Sequence, residues 1–494
     1  MSDEDEPTTY LGYKGYSIKK KYFSVEEQRL LRKELMVKPF VPKSSPVQPE
    51  PFPVYRESNK KIYVPRYYGN EMYGPPDALE IEEGENISVN FKGSLREKQK
   101  PVVEKYLKYI KNNGGGCLAL HTGFGKTCLA LYIISALKKR TIIIVHKEFL
   151  MRQWIERIEQ FLPEAKVGKI QAKTIDVEGK DIVICMLQSL SMKEYNKELF
   201  KGYGLTIVDE CHHISAEVFS RAFFKIVTKY TLGLSATIKR KDGLTKIIKW
   251  FLGDIVCKVE RKGEDKVLVK AITYKINDED FNKIELNFRG QVNYTGMIKK
   301  ICEFNRRTEF ILKIIKDLLK KNKDQQIMIL GHQKKLLAYI FEAIKNRVIA
   351  TVGYYIGGMK EQDLKISEGK KIIVATYAMA EEGLDIKTLT TLVMATPKVD
   401  VTQSVGRILR QKHKEALVID IVDTHALFQR HYAKRRVFYK KQKFKIIETD
   451  SYKYDNDLWD TIYDPEANIN KKTKINKKKK EVNMFQGVCL SKRK

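Results

Sequence analysis

The chain is short of several things that would point elsewhere. Among its 494 residues there is no run of 18 apolar side chains, so nothing in it reads as a bilayer-spanning helix. Its seven cysteines (Cys117, Cys128, Cys185, Cys211, Cys257, Cys302 and Cys489) include no C-x-x-C pair and no cluster at metal spacing. That argues against a structural zinc or an iron–sulfur cluster, and for reduced thiols in a cytosolic or nuclear setting. Proline is scarce beyond residue 90, where only four of the 14 fall. Acidic residues are in deficit: 61 Asp and Glu against 92 Lys and Arg leave a net charge of +31. Such an excess repels itself unless it meets a polyanion, which makes nucleic acid the first candidate partner and an anionic membrane surface the second. No basic amphipathic helix of the anchoring kind stands out, and the membrane option recedes. The start, MSDEDEPTTY, has neither the apolar core of a signal peptide nor the Arg-rich face of a transit peptide.

What is present describes a packed, multidomain protein. Hydrophobic types make up 43% and charged types 31%, and at roughly 150 residues per domain the length suggests about three units. Residues 1–90 hold ten prolines and many tyrosines and read as a small N-terminal accessory module with a disordered acidic start. The tyrosines at 55–73, among them Tyr67 and Tyr68, read as packing residues of that module rather than as a stacking platform for bases.

From about residue 91 the texture changes to short, β-branched apolar runs separated by helical stretches. Thr141–His146, Asp181–Leu187, Leu205–Asp209 and Thr231–Ala236 form one set. Gln326–Leu330, Arg347–Val352, Lys371–Thr376, Thr391–Ala395 and Ala416–Ile421 form a second. Short runs that are apolar on both faces are how the strands of a buried parallel sheet read. The fold class is therefore α/β, with two tandem parallel-sheet lobes at 91–260 and 311–445, a charged linker or hinge at 261–310, and a C-terminal extension at 446–494 that ends in a disordered basic tail. The tail, 471–494, carries +9 and leaves +22 on residues 1–470, so it does not account for the basic charge.

Two segments carry chemistry. His121-Thr122-Gly123-Phe124-Gly125-Lys126-Thr127 follows an apolar strand, Cys117–Leu120, and precedes a helical run, Cys128–Leu137. A turn there aims backbone N–H groups and a helix N-terminus at one point, which suits a triphosphate. Lys126 would reach the β and γ groups and Thr127 would hold Mg²⁺, although Leu120 stands where the general motif has its first glycine. About 80 residues on, the strand Leu205–Val208 runs into Asp209 and Glu210. Asp209 is placed to complete the Mg²⁺ shell through water, and Glu210 to orient or deprotonate the attacking water. The pair His212–His213 lacks a metal partner at suitable spacing and reads as a contact to the following lobe.

Taken together these residues resemble superfamily 2 helicases and translocases of the DECH type. The remaining motifs run in order over about 95–425. Leu95-Arg96-Glu97-Lys98-Gln99 is similar to the element whose Arg96 and Gln99 would lie near adenine. His146–Trp154 resembles motif Ia and Met186–Leu190 the next strand-binding element; with Thr376 they imply nucleic-acid contacts at Gln153, Gln188, Ser189 and Thr376. Ser235-Ala236-Thr237 resembles the motif that couples hydrolysis to movement, a role implied also for Gly383 and Asp385 in Glu382-Gly383-Leu384-Asp385-Ile386. Gln403-Ser404-Val405-Gly406-Arg407-Ile408-Leu409-Arg410 resembles motif VI and implies that Gln403, Arg407 and Arg410 act on the transferring phosphoryl group.

The resemblance is closest to the XPB/UvrW-like group and to transcript-release helicases of poxviruses and other large cytoplasmic DNA viruses. It implies RecA-like lobes, hydrolysis of ATP with Mg²⁺, and a motor on nucleic acid, DNA in preference to RNA, working as a monomer. An RNA polymerase or other transcription protein is the implied partner. The implied location is cytoplasmic or nuclear, or the viral factory and virion if the protein is viral. The alternatives are an RNA helicase and a non-motor NTPase scaffold.

Overall fold

The structure is a computed structural model that describes residues 7–41, 48–213, 216–238, 240, 242–261, 266–383, 386, 388–409 and 416–467. The chain divides into two compact units, residues 1–260 and 261–494. The acidic start and the basic tail, at 1–6 and 468–494, lie outside the described residues, as do Asp385 and Arg410.

In the first unit the apolar runs are strands because both of their faces are covered: Ile142, Ile143, Ile144 and Val145 are all fully buried. Eight strands form one sheet. Across it they lie in the order Thr174–Asp176, Val167–Gln171, Ile182–Met186, Thr141–Val145, Leu205–Val208, Tyr230–Ser235, Gly115–Leu120 and Ile255–Val259. Every neighbour is parallel except the edge pair Val167–Gln171 with Thr174–Asp176. This order has a direct consequence for chemistry. Strand Tyr230–Ser235 is flanked by Leu205–Val208 and Gly115–Leu120, so the residues after three neighbouring strands emerge side by side at the carboxyl edge, where parallel sheets bind ligands.

The N-terminal module belongs to this unit. Five short strands (Thr9–Gly12, Gly15–Lys19, Arg56–Glu57, Lys61–Val64 and Ala78–Leu79) make a small sheet, accompanied by helix Val25–Leu35, whose start is closed by a reciprocal Ser24/Glu27 capping box. Its apolar residues share a core with the large sheet: Tyr16, Leu35 and Tyr68 lie in one cluster with Ile142, Phe219 and Trp250. Tyr68 packs edge-on against Trp250 at 5.1 Å and donates its hydroxyl to Glu34 Oε2 at 2.9 Å. The Tyr67 hydroxyl meets Thr231 Oγ1 at 3.1 Å. Tyr68 is a buried packing residue, while Tyr67 is half-buried.

The second unit repeats the design. Its sheet runs Val352–Tyr355, Ile372–Thr376, Gln326–Gly331, Leu389–Met394, Ala416–Asp423, Val267–Tyr274, Lys445–Asp450 and Asp460–Tyr463. All neighbours are parallel but the last pair. Three expectations are corrected here. Residues 261–310 are not a linker: Val267–Tyr274 is an interior strand, and Met297, Ile298 and Ile301 of helix Tyr294–Glu303 lie in the core. Its charge is partly internal, since fully buried Arg307 grips Asp423 at 2.5 and 2.9 Å and donates to the Ala395 carbonyl at 2.8 Å. Residues 446–463 are not an appendage either, because Lys445–Asp450 and Asp460–Tyr463 extend the sheet. Finally, the apolar run Arg347–Val352 is not itself a strand. It begins as the end of helix Lys334–Asn346, Val348 turns at φ 52°, and the strand starts only at Val352.

Candidate nucleotide site

At the carboxyl edge of the first sheet, strand Gly115–Leu120 turns through 121–125 into helix Lys126–Leu137. The turn depends on Gly125, which has φ +91°; a Cβ there would lie 2.6 Å from both Arg96 Nη2 and Gln99 Nε2. Those two side chains hold the turn from beneath. Gln99 donates to the carbonyls of Phe124 at 2.9 Å and Gly125 at 3.4 Å, Arg96 donates to Gly123 and Phe124, and the Gln99 side-chain oxygen accepts from the Arg96 backbone N–H at 2.9 Å. The loop's carbonyls are drawn to one side; of its N–H groups, that of His121 bonds to the Val259 carbonyl at 3.2 Å and that of Phe124 to the His121 carbonyl at 3.1 Å. His121 closes the loop's start: its ring lies on Phe124 at 5.5 Å and its Nδ1 on the Thr122 carbonyl at 2.8 Å. Lys126 and Thr127 are the first two residues of the helix.

Lys126 Nζ forms an ion pair with Glu210 Oε1, which brings the glycine-rich turn and the acid pair together, 84 residues apart in sequence. Glu210 has φ 46°, a left-handed conformation that is uncommon for any residue but glycine. Its N–H donates to Asp209 Oδ1 at 2.9 Å, which fixes the bend. Asp209 is 7% exposed and accepts from Trp154 Nε1 at 3.0 Å through its other oxygen. Burial, followed by the adjacent Glu210 carboxylate, pushes the Asp209 carboxyl above the usual range. The donor set is what a magnesium–triphosphate needs: an ammonium, a hydroxyl and a carboxylate held at the end of one strand. Asp209 and Thr127 fit the metal, and Lys126 with the turn fits the phosphates.

The third neighbouring strand supplies Ser235. Its hydroxyl meets His212 Nδ1 at 2.8 Å, donates to the Thr237 carbonyl at 2.7 Å and accepts from the Thr237 N–H at 3.0 Å. Nδ1 of His212 also lies 3.4 Å from Glu210 Oε2. Within the first unit, His212 bridges the acid motif to Ser235 of Ser235-Ala236-Thr237. The side chain of His213 lies outside the described residues.

The remaining predicted residues scatter more widely. Gln188 Nε2 donates to the His146 carbonyl at 2.9 Å, and Ser189 Oγ accepts from the Ala172 N–H at 2.9 Å, tying the segments around 146 and 172 to helix Leu187–Met192. Gln153 lies half-buried on helix Glu148–Phe161, next to Trp154. In the second unit Thr376 ends its strand and Gln403 and Arg407 lie on the six-residue helix Thr402–Arg407. Gly383 ends helix Tyr377–Gly383.

Sequence reasoning missed the residue that organises this corner. Glu381 pairs with Lys398, accepts from Ser404 Oγ at 2.6 Å through its other oxygen, and offers its backbone carbonyl to Arg407. Trp154 was missed too. Only the tertiary fold brings these groups to their partners.

Residues 92–240 match the family described as "Type III restriction enzyme, res subunit". The chain is 37% identical over 464 residues to a "Putative ATP-dependent RNA helicase" of Acanthamoeba polyphaga mimivirus, covering 90% of this chain and 88% of that one. It is 28% identical over 377 residues to a protein of the same description from African swine fever virus, covering 71% and 73%. It is also 28% identical over 405 residues to a "DNA 3'-5' translocase" of Sulfurisphaera tokodaii, covering 72% and 89%.

Proposed function

The chain belongs to the superfamily 2 helicases and is an ATP-hydrolysing enzyme of that family, and from this premise we propose that it is a motor that moves along DNA. The observation that carries the proposal is the meeting of Lys126, Glu210, Asp209 and Ser235 at one sheet edge. Lys126 is paired with Glu210. Phosphates arriving on the turn draw the lysine to themselves and release the carboxylate, which is then free to orient a water for in-line attack. Mg²⁺, held by Thr127 and Asp209, supplies charge neutralisation on the phosphate oxygens when bound. Gln403, Arg407 and Arg410 are assigned to the transferring phosphoryl group, where a planar guanidinium stabilises spread negative charge. His212 and Ser235 link the state of Glu210 to the backbone at Ala236 and Thr237.

The nucleic-acid contacts are assigned to Gln153, Gln188, Ser189 and Thr376, and the coupling role to Gly383 and Asp385. Phosphate contacts carry no base information, so binding is sequence-independent. We place the protein's work in transcription or repair in the cytoplasm of a virus-infected cell, as a monomer alongside an RNA polymerase. A second reading, an RNA helicase, is favoured by the descriptions of its viral relatives. ATP turnover measured with single-stranded DNA, duplex DNA and RNA separates the two, with the larger stimulation expected from DNA; stimulation by RNA alone would favour the second. Lys126→Ala and Glu210→Gln are each expected to lower turnover by about 10²-fold or more. Wild-type turnover in either folded variant removes the role assigned to that residue.

A further inference from the structure

One segment of the second unit wears its polarity inside out. Between helices Glu279–Asn282 and Tyr294–Glu303 the chain folds into a narrow two-stranded ribbon, closed by a bridge between Leu286 and Val292 and by a bond from the Asn293 N–H to the Glu285 carbonyl at 2.8 Å. Side chains alternate across such a ribbon. Ile284, Leu286 and Val292 fall on one face, and all three are exposed; Tyr294, where the next helix begins, lays its ring on His431 at 5.6 Å. The other face, with Glu285, turns to the body: Lys300 Nζ reaches Glu285 Oε1 at 3.1 Å and the Lys283 carbonyl at 2.8 Å. At the tip stands Phe288, 86% exposed, with the Arg289 guanidinium 5.1 Å from its ring centre.

The tip is built to hold its shape. Asn287 accepts from the N–H groups of Arg289 and Gln291 through one side-chain oxygen at 2.9 and 3.0 Å, while its carbonyl accepts from Gly290 at 2.9 Å. Gly290 supplies the left-handed turn at φ +70°. The base is anchored through the Phe281 carbonyl, which meets His425 Nε2 at 2.7 Å, and through buried Phe281 and Met297. A firm ribbon that offers an apolar face and an aromatic tip to water marks an interaction surface.

Resting on the reading of the protein as a nucleic-acid motor, we propose that Phe288, flanked by Arg289, is a stacking site for an unpaired base of the bound DNA strand. The partner is identified by chemistry. A flat ring with a guanidinium beside it matches the π-face of any base and the phosphate next to it. Along the ribbon and the helix that follows it, Lys283, Arg289, Lys299 and Lys300 outnumber Glu285 and Glu303, while Glu279 and Asp280 sit on the short helix before it; the tip itself carries Arg289 and no acid, which suits a polyanion.

The test uses the full chain and a single-stranded oligodeoxynucleotide carrying one 2-aminopurine. Phe288→Ala and Phe288→Leu are each expected to weaken binding by roughly five- to a hundredfold and to abolish quenching of the analogue, with ATP turnover in the absence of nucleic acid unchanged. Phe288→Trp is expected to restore both signals. Leucine that binds and quenches as well as phenylalanine would mean an apolar contact and overturn the stacking site, as would an alanine variant that binds normally. A wild-type chain that binds no oligonucleotide fails at the motor reading itself, before any variant is compared, and takes the stacking site with it.

Discussion

At the scale of single residues, the site is a set of charges held in place by neutral donors. Trp154 shows this best. Its indole N–H is a hydrogen bond to a carboxylate that is otherwise taken out of water, at 3.0 Å from Asp209 Oδ2. Removing the donor leaves the carboxylate buried with one fewer partner, which costs about 1–3 kcal/mol when the acceptor is ionised. Trp154→Phe keeps most of the ring's packing and loses that bond. It is expected to lower unfolding stability at neutral pH by this order, read as a lower urea midpoint, and to reduce ATP turnover, and unchanged turnover would show that Asp209 needs no such anchor. The residues proposed to bind the nucleotide were legible in the sequence because the glycine-rich turn and the acid pair are contiguous strings at strand ends. Trp154 and Glu381 were not, because each meets its partners only after the chain has folded: Trp154 finds an acid 55 residues away, and Glu381 a lysine 17 and a serine 23 residues away.

At the scale of elements, helix Thr402–Arg407 is too short to persist by its own hydrogen bonds. Its position comes from Ser404 and Arg407 docking on Glu381, which Lys398 neutralises. Glu381→Gln keeps the shape and discards the charge. With Arg407 acting on the phosphoryl group as proposed, the expected result is a fall in kcat of roughly ten- to a hundredfold with a smaller change in KM for ATP, since misplacing such a group affects the transition state most. Nearby, His332 sits against Thr396 Oγ1 at 2.7 Å and the Tyr377 ring at 4.8 Å. Burial, with help from Lys398 and His431, lowers its pKa to about 4. The unfolded chain takes up this proton near pH 6.5 and the folded one only near 4, so stability falls as pH drops through that window. His332→Asn is expected to flatten the acid limb of a denaturation midpoint measured from pH 7 to 4. The elements least legible in the sequence lie in this same unit. Strand Val267–Tyr274 alternates buried and half-buried positions and carries Lys270, so it lacks the all-apolar texture by which the other interior strands were recognised. The run Arg347–Val352 has that texture and is a helix cap and turn in which Val348 is 87% exposed, so an apolar string there marks neither a strand nor the core.

At the scale of the whole molecule, the decisive quantity is charge. The described fold absorbs some basic residues in structural pairs, such as Arg307 with Asp423 and Arg435 with Asp420, and these can make no contact with phosphate. What remains exposed must be screened by counterions until a polyanion displaces them, and each phosphate neutralised contributes about −0.7 to the slope of log affinity against log salt for a single strand. The tail 471–494 holds +9 of the +31, enough to dominate that slope if it lay along the polymer. The motor reading predicts otherwise, because it assigns the contacts that move with the hydrolysis cycle to residues of the two units such as Gln188 and Thr376. Deleting 471–494 is therefore expected to weaken affinity and shallow the slope by a minority of its value, while turnover at saturating DNA stays as in the full chain. A slope that collapses towards zero without 471–494 would relocate the grip to that segment, and the residues assigned to nucleic acid elsewhere would lose their role.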